Sequence, residues 1–106
     1  MLAYPITGWA ALADETRRAI FKRLVEGPCA VGELAREFPV SRPAVSQHLK
    51  VLKGAGLVIG RRAGKQRIYA VDTDGLASLR AEVDGFWNKT LTAYKAVVEQ
   101  TTKEVE

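Results

Sequence analysis

Apolar positions recur at two different periods along the chain, and each change of period marks a new element. Residues 5–12 predict a short helix with Pro5 in its first turn, where a missing N–H costs nothing, and Ile6, Trp9 and Ala10 on one side. Asp14 offers an N-cap oxygen to a second helix, in which Ile20, Phe21, Leu24 and Val25 recur at helical spacing until Gly27 and Pro28 stop it. A third short helix, about residues 32–38, is expected to bury Val31, Leu34, Ala35 and Phe38. Pro39 ends it by disfavouring helical dihedrals at Phe38. Ser41 caps a fourth helix with Pro43 in the tolerated first turn; Ala44, Val45, Leu49 and Leu52 form its inward stripe, and Gly54 and Gly56 close it. The period then drops to that of a strand. Leu57-Val58-Ile59 and Ile68-Tyr69-Ala70-Val71 are β-rich runs separated by residues 60–67, which predicts a hairpin tipped by Gly64 and Lys65.

From Thr73 onward Leu76, Leu79, Val83, Phe86, Trp87, Leu91, Tyr94 and Val97 or Val98 recur every three or four residues, so residues 73–103 read as one long helix. At ~1.5 Å per residue it extends roughly 40 Å, more than a core of this size can cover. Its stripe, with Ile6 and Trp9 of the first helix, is therefore expected to form a two-fold dimer interface, the alternative being a helix that folds back on its own domain. Gly85 costs that helix about 1 kcal/mol relative to Ala and marks a bend or a close crossing.

The outer face of the fourth helix changes the picture from fold to function. Arg42, Ser46, Gln47 and Lys50 all donate hydrogen bonds and none is acidic. Two helices joined by a short turn, the second basic and polar outside, form a helix-turn-helix, and a basic hairpin directly after it is a wing. Charge placement agrees. Residues 41–67 carry seven cations (Arg42, Lys50, Lys53, Arg61, Arg62, Lys65 and Arg67) and no Asp or Glu, so the net charge of +4 divides into +7 there and −3 elsewhere. A solvated face normally mixes signs, whereas an acid-free stretch of this kind suits a polyanion. The architecture expected is mainly α with a small β hairpin, a winged helix-turn-helix dimerising through its first and last helices.

Composition excludes several classes. A chain of 106 residues without repeats or linkers reads as one domain. One Cys forms no internal bridge, which points to a reducing cytoplasm, and no apolar window is long enough to span a membrane. Nucleophilic catalysis would need Cys29 or a Ser beside His48, the single imidazole, with an orienting group; no such arrangement is visible in the sequence.

The runs ALADETRRAIFKRLVEG, ELAREFPVSRPAVSQHLKVLKGAGLV and RRAGKQRIYAV resemble the ArsR-type winged helix-turn-helix repressors of bacteria, over about residues 5–100. FWNKTLTAY resembles a subgroup of that family without metal ligands. The resemblance implies a homodimer of α-α-α-α-β-β-α order that binds a partly palindromic operator and blocks transcription, often of its own operon. Two departures bear on geometry. Family members usually have Gly in the turn where this chain has Pro39, which cannot adopt positive φ, and Ser or Thr as the cap where Cys29-Ala30-Val31 offers no good oxygen.

No metal or other cofactor is expected. Soft-metal sites need two or more thiolates, and a zinc site on the last helix needs His beside carboxylates; Asp72, Asp74, Glu82 and Asp84 stand there without one. Cys29 alone is either a redox-responsive thiol or a small buried hydrophobe. His48 reads as a packing and hydrogen-bonding residue behind the fourth helix, and Trp9 and Trp87 as interface or core aromatics. A winged module used only for protein contact remains the alternative to DNA binding. On the DNA reading, Arg42, Ser46 and Gln47, beside Pro43, face base edges; Ser41, Lys50 and Lys53 meet phosphates; Arg61, Arg62, Lys65 and Arg67 add backbone contacts from the wing. Leu79, Val83, Phe86, Trp87, Leu91 and Tyr94, with Ile6 and Trp9, carry the dimer.

Overall fold

The computed structural model describes residues 7–105. Its elements in chain order are α1 (Gly8–Ala11), α2 (Glu15–Val25), β1 (Cys29–Ala30), α3 (Val31–Glu37), α4 (Arg42–Gly54), β2 (Val58–Ala63), β3 (Gln66–Val71) and α5 (Thr73–Val105). Two compact units result, one ending at Leu76 and the other beginning at Ala77. Pro5 and Ile6, expected in the first helix and the dimer interface, lie outside the described residues.

Local chemistry sets the helix boundaries. Thr7 caps α1, its Oγ1 accepting from the Ala10 N–H at 3.2 Å. Asp14 caps α2, its Oδ1 accepting from the Arg17 N–H at 2.9 Å, and that bond holds the Asp14 carboxyl below its ordinary range. Val25 departs from expectation, since it is 60% exposed. Ile20, Phe21 and Leu24 set the buried stripe, and Val25 lies roughly a quarter-turn round the helix from its centre. Ala30 caps α3 without any side-chain hydrogen bond, as the missing oxygen implied.

Phe38, which precedes Pro39, is extended at φ −120°, ψ 145°, and Ser41 enters α4 at φ −69°, ψ 157°. Among the described residues no residue other than glycine has positive φ, so the α3–α4 turn needs no glycine and accepts Pro39.

Cys29 and Ala30 pair antiparallel with Tyr69 and Ile68, adding a third strand to the hairpin in the order β1-β3-β2. A strand of two residues carries no period, so the pattern of the chain predicts none there. β2 and β3 pair from Val58↔Val71 to Ala63↔Gln66, leaving Gly64 (φ +64°) and Lys65 at the tip. The core is made by Ile20 and Leu24 of α2, Leu34 of α3, Val45, Leu49 and Leu52 of α4, and Leu57 and Val58 entering β2, each almost fully buried.

The hairpin is anchored at its base. The Leu57 N–H donates to Leu52 O at 3.0 Å and the Asp72 N–H to Leu57 O at 2.9 Å. Asp72 Oδ1 accepts from the N–H groups of Asp74 and Gly75 and so caps α5. Gly75 packs directly on the Gly56 carbonyl, where a Cβ would collide with backbone. Gly85, by contrast, has nothing within 4 Å of a Cβ among the described residues.

Gly75→Ala is expected to lower unfolding free energy by about 1–3 kcal/mol or more in urea titrations, because backbone cannot step aside as a side chain does. Gly85→Ala should raise it by about 0.5–1 kcal/mol. Equal, neutral outcomes would mean that the Gly56–Gly75 contact is not tight in solution.

Candidate nucleic-acid interface

α4 presents two chemically opposite faces. Val45, Leu49 and Leu52 are fully buried, while Arg42, Pro43, Ser46, Gln47, Lys50 and Lys53 are exposed. Pro43 sits where α4 would in any case have an unpaired N–H, and Ser41 Oγ accepts from the Ala44 N–H at 3.2 Å, which leaves its hydroxyl hydrogen free to donate outward. The hairpin adds Arg61, Arg62, Lys65 and Arg67, all exposed.

The cations divide by strand alternation. Arg62 stands directly opposite Arg67 in the ladder, on the same face as Gly60 and Tyr69, while Arg61, opposite Ile68, points to the other face. Arg67 lies over the Tyr69 ring, 5.9 Å from its centroid. The ring in turn covers Gly60, where a Cβ would come within 2.9 Å of it. Like charges directly opposite in a ladder destabilise it. Among the described residues the ion pairs are Arg23–Glu37, Arg80–Asp84 and Lys95–Glu99, so all seven cations of residues 41–67 lack an acidic partner.

Arg42 of α4, Lys65 of the tip and Arg67 of β3 converge on one cleft of about 270 Å³ against the start of α3. Lys50, Lys53, Arg61 and Arg62 do not line it. The cleft also contains Arg36 of α3, which the sequence-based set lacks because it lies outside the acid-free residues 41–67 and has Glu33 and Glu37 near it. Of those two acids, Glu37 is paired elsewhere and Glu33 lines the cleft beside Arg36. Glu37 pairs with Arg23 at 2.8 Å, and Glu33 Oε2 lies 3.5 Å from the Cys29 thiol.

Cys29 is buried, with its thiol also near Arg23 Nη2 at 3.6 Å. Burial first, and then the hydrogen bond to Glu33, push the thiol's pKa up, the opposite of what a reactive thiolate needs. His48 is half-buried, and its Nδ1 has no hydrogen-bond partner among the described residues, so its expected hydrogen-bonding role is not seen at that atom. Among the described residues no group of three or more His, Cys, Asp or Glu converges to hold a metal ion, and no helix is long and apolar enough to cross a membrane. In α5, Leu79 and Val83 are half-buried, and Phe86, Trp87, Leu91 and Tyr94 are exposed, as is Trp9 of α1.

A family model described as a helix-turn-helix domain matches residues 12–61. The HTH-type transcriptional regulator Rv2034 of Mycobacterium tuberculosis is 60% identical over 95 residues, covering 90% of this chain and 89% of its own length. A solved structure described as a possible transcriptional regulator for arsenical resistance superposes with TM-score 0.73 at 46% identity, over 77% of this chain and 85% of that one. The homodimeric winged helix-turn-helix DNA-binding domain Mb0332 of Mycobacterium bovis, a possible ArsR-family transcriptional regulator, superposes with TM-score 0.63 at 30% identity, over 77% and 76%.

The Cys29 environment predicts slow alkylation. Iodoacetamide at pH 7.5 should label the native thiol on the order of tenfold or more slower than the urea-unfolded chain. A native rate equal to the unfolded one would contradict the buried, protonated thiol.

Proposed function

The chain belongs to the ArsR-type helix-turn-helix transcriptional regulators, and from that membership we propose that it acts in the cytoplasm as a homodimeric, sequence-specific DNA-binding repressor. The observation that carries this reading is the set of seven cations on α4 and the wing, exposed and without acidic partners among the described residues. A module used only for protein contact has no need of Arg62 held opposite Arg67.

In this mechanism α4 enters a major groove. Arg42, Ser46 and Gln47, with Pro43 beside them, reach base edges, while Ser41, Lys50 and Lys53 meet phosphates. The wing brings Arg61, Arg62, Lys65 and Arg67 to the backbone beside the half-site. The apolar stripe of α5 (Leu79, Val83, Phe86, Trp87, Leu91, Tyr94), with Trp9, joins two copies about a two-fold axis. Two α4 helices then read a partly palindromic operator whose half-sites lie about one helical turn apart. Occupying a promoter excludes polymerase, so repression requires no chemistry and no cofactor or metal. Three to five neutralised phosphates per subunit give a slope of log K against log salt of roughly −5 to −9.

Footprinting on the DNA upstream of the coding region tests this directly, with protection of a roughly 20–30 base-pair inverted repeat expected. On that site Gln47→Ala should cost about 1–3 kcal/mol and relax selectivity, whereas Lys65→Ala should weaken all sequences alike. Uniform losses for Gln47→Ala would remove it from the base readers.

Leu91→Asp tests the stripe, since a carboxylate there would be buried by dimerisation. Sedimentation should shift from dimer to monomer, with operator affinity lost in parallel. A dimer of unchanged stability would place the interface elsewhere.

A further inference from the structure

The cleft between α3, the start of α4 and the hairpin tip adjoins the base-reading face at Arg42, and it gathers Arg36, Arg42, Lys65 and Arg67 from three elements around about 270 Å³. None of the four has an ion-pair partner among the described residues. Glu33 is the acid lining the cleft, and its Oε2 is engaged by the Cys29 thiol at 3.5 Å. Glu37, the neighbour of Arg36, is held by Arg23 at 2.8 Å. Glu37 is thus taken up by Arg23, Glu33 sets one negative charge against four cations in the cleft, and the excess of positive charge is left to an external anion. Guanidinium groups bind phosphate oxygens two at a time, and the volume suits one phosphate with several waters at about 30 Å³ each.

We propose that this cleft is a clamp for a single phosphodiester of the DNA backbone, with Arg36 of α3 as a phosphate-binding residue alongside Lys65 and Arg67, while Arg42, assigned to a base edge, borders it. The inference rests on the DNA-binding reading and adds to it a contact from the first helix of the helix-turn-helix. Because the clamp joins α3, α4 and the wing, seating one phosphate fixes the wing relative to α4. It sets the register in which Gln47 meets its base without itself reading sequence.

The test uses the full chain and a 30-base-pair mixed-sequence duplex, with affinity measured against KCl for the wild type, Arg36→Ala, Arg36→Lys and Glu33→Gln. Arg36 is exposed in the last turn of α3, and thermal melts by circular dichroism confirm that each variant is folded. The clamp predicts that Arg36→Ala flattens the salt slope by about 1 per subunit, that Arg36→Lys preserves it, and that Glu33→Gln tightens binding. An unchanged slope in Arg36→Ala, with the wild type binding the duplex normally, overturns the clamp and leaves the DNA reading intact. A wild type that binds no duplex sinks both. Inorganic phosphate that raises the melting temperature only when Arg36 is present, while the Arg36→Ala slope stays at the wild-type value, assigns the cleft to a free anion and also overturns the proposal.

Discussion

The contact of Gly75 with the Gly56 carbonyl governs what surrounds it. A two-stranded hairpin is marginal by itself, and nothing in the ladder from Val58 to Val71 decides where its tip points relative to α4. Direction comes from the base. Leu57 is tied to the end of α4 through the Leu52 carbonyl, Asp72 is tied to Leu57, and α5 begins against the turn between them. At the opposite edge of β3, Cys29 and Ala30 pair with Tyr69 and Ile68 and join the sheet to the start of α3. With both edges fixed, Lys65 and Arg67 come to the same cleft as Arg36 and Arg42. A side chain at position 75 would act on the wing from its far end.

Electrostatically, what matters is where the acids are. The chain holds 12 Asp and Glu, enough to neutralise most of its 16 Lys and Arg. None lies within residues 41–67, and several are engaged elsewhere: Asp14 and Asp72 as helix caps, Glu37 on Arg23, Asp84 and Glu99 within α5; Glu33, hydrogen-bonded by the Cys29 thiol, is the acid that lines the cleft with Arg42, Lys65 and Arg67. The exposed i,i+4 pairs of α5 add little stability. Their effect is to keep α5 close to neutral while the basic surface stays uncompensated. Arg62 opposite Arg67 is a further cost of about 0.2–1 kcal/mol to the isolated fold, and an anion laid across the hairpin removes it.

The elements with a long, regular period were legible in the sequence. α2, α4 and α5 follow from their stripes, and Asp14 and Ser41 were identifiable as caps because a short polar oxygen preceded each stripe. The hairpin followed from two β-rich runs around a glycine. What escaped had either too few residues or a partner distant in sequence. β1 is two residues long, and α1 is a single turn, Gly8–Ala11, capped by Thr7. Val25 looked like core because a list of apolar residues ignores angle round the helix. Arg36 lies outside the acid-free residues 41–67, and sequence proximity to Glu33 and Glu37 does not show that Glu37 pairs with Arg23 instead. Pro39 raised a difficulty that the backbone does not have, since Phe38 and Ser41 are both extended.

The two kinds of exposed surface depend on each other. One copy of α4 and the wing offers seven cations, and a single half-site holding three to five phosphates is weak and strongly screened at physiological salt. Adding cations to one chain would raise its affinity for every sequence equally. Pairing two chains through α5 instead makes the second half-site an intramolecular encounter, so affinity grows at the spacing that the two-fold axis imposes and at no other. In the proposed dimer, the exposed apolar side chains of α5 would thereby convert a generic attraction for polyanions into recognition of a repeat with fixed separation. Under that proposal specificity would reside as much in Trp87, Leu91 and Tyr94, assigned to the dimer seam, as in Gln47, assigned to the bases.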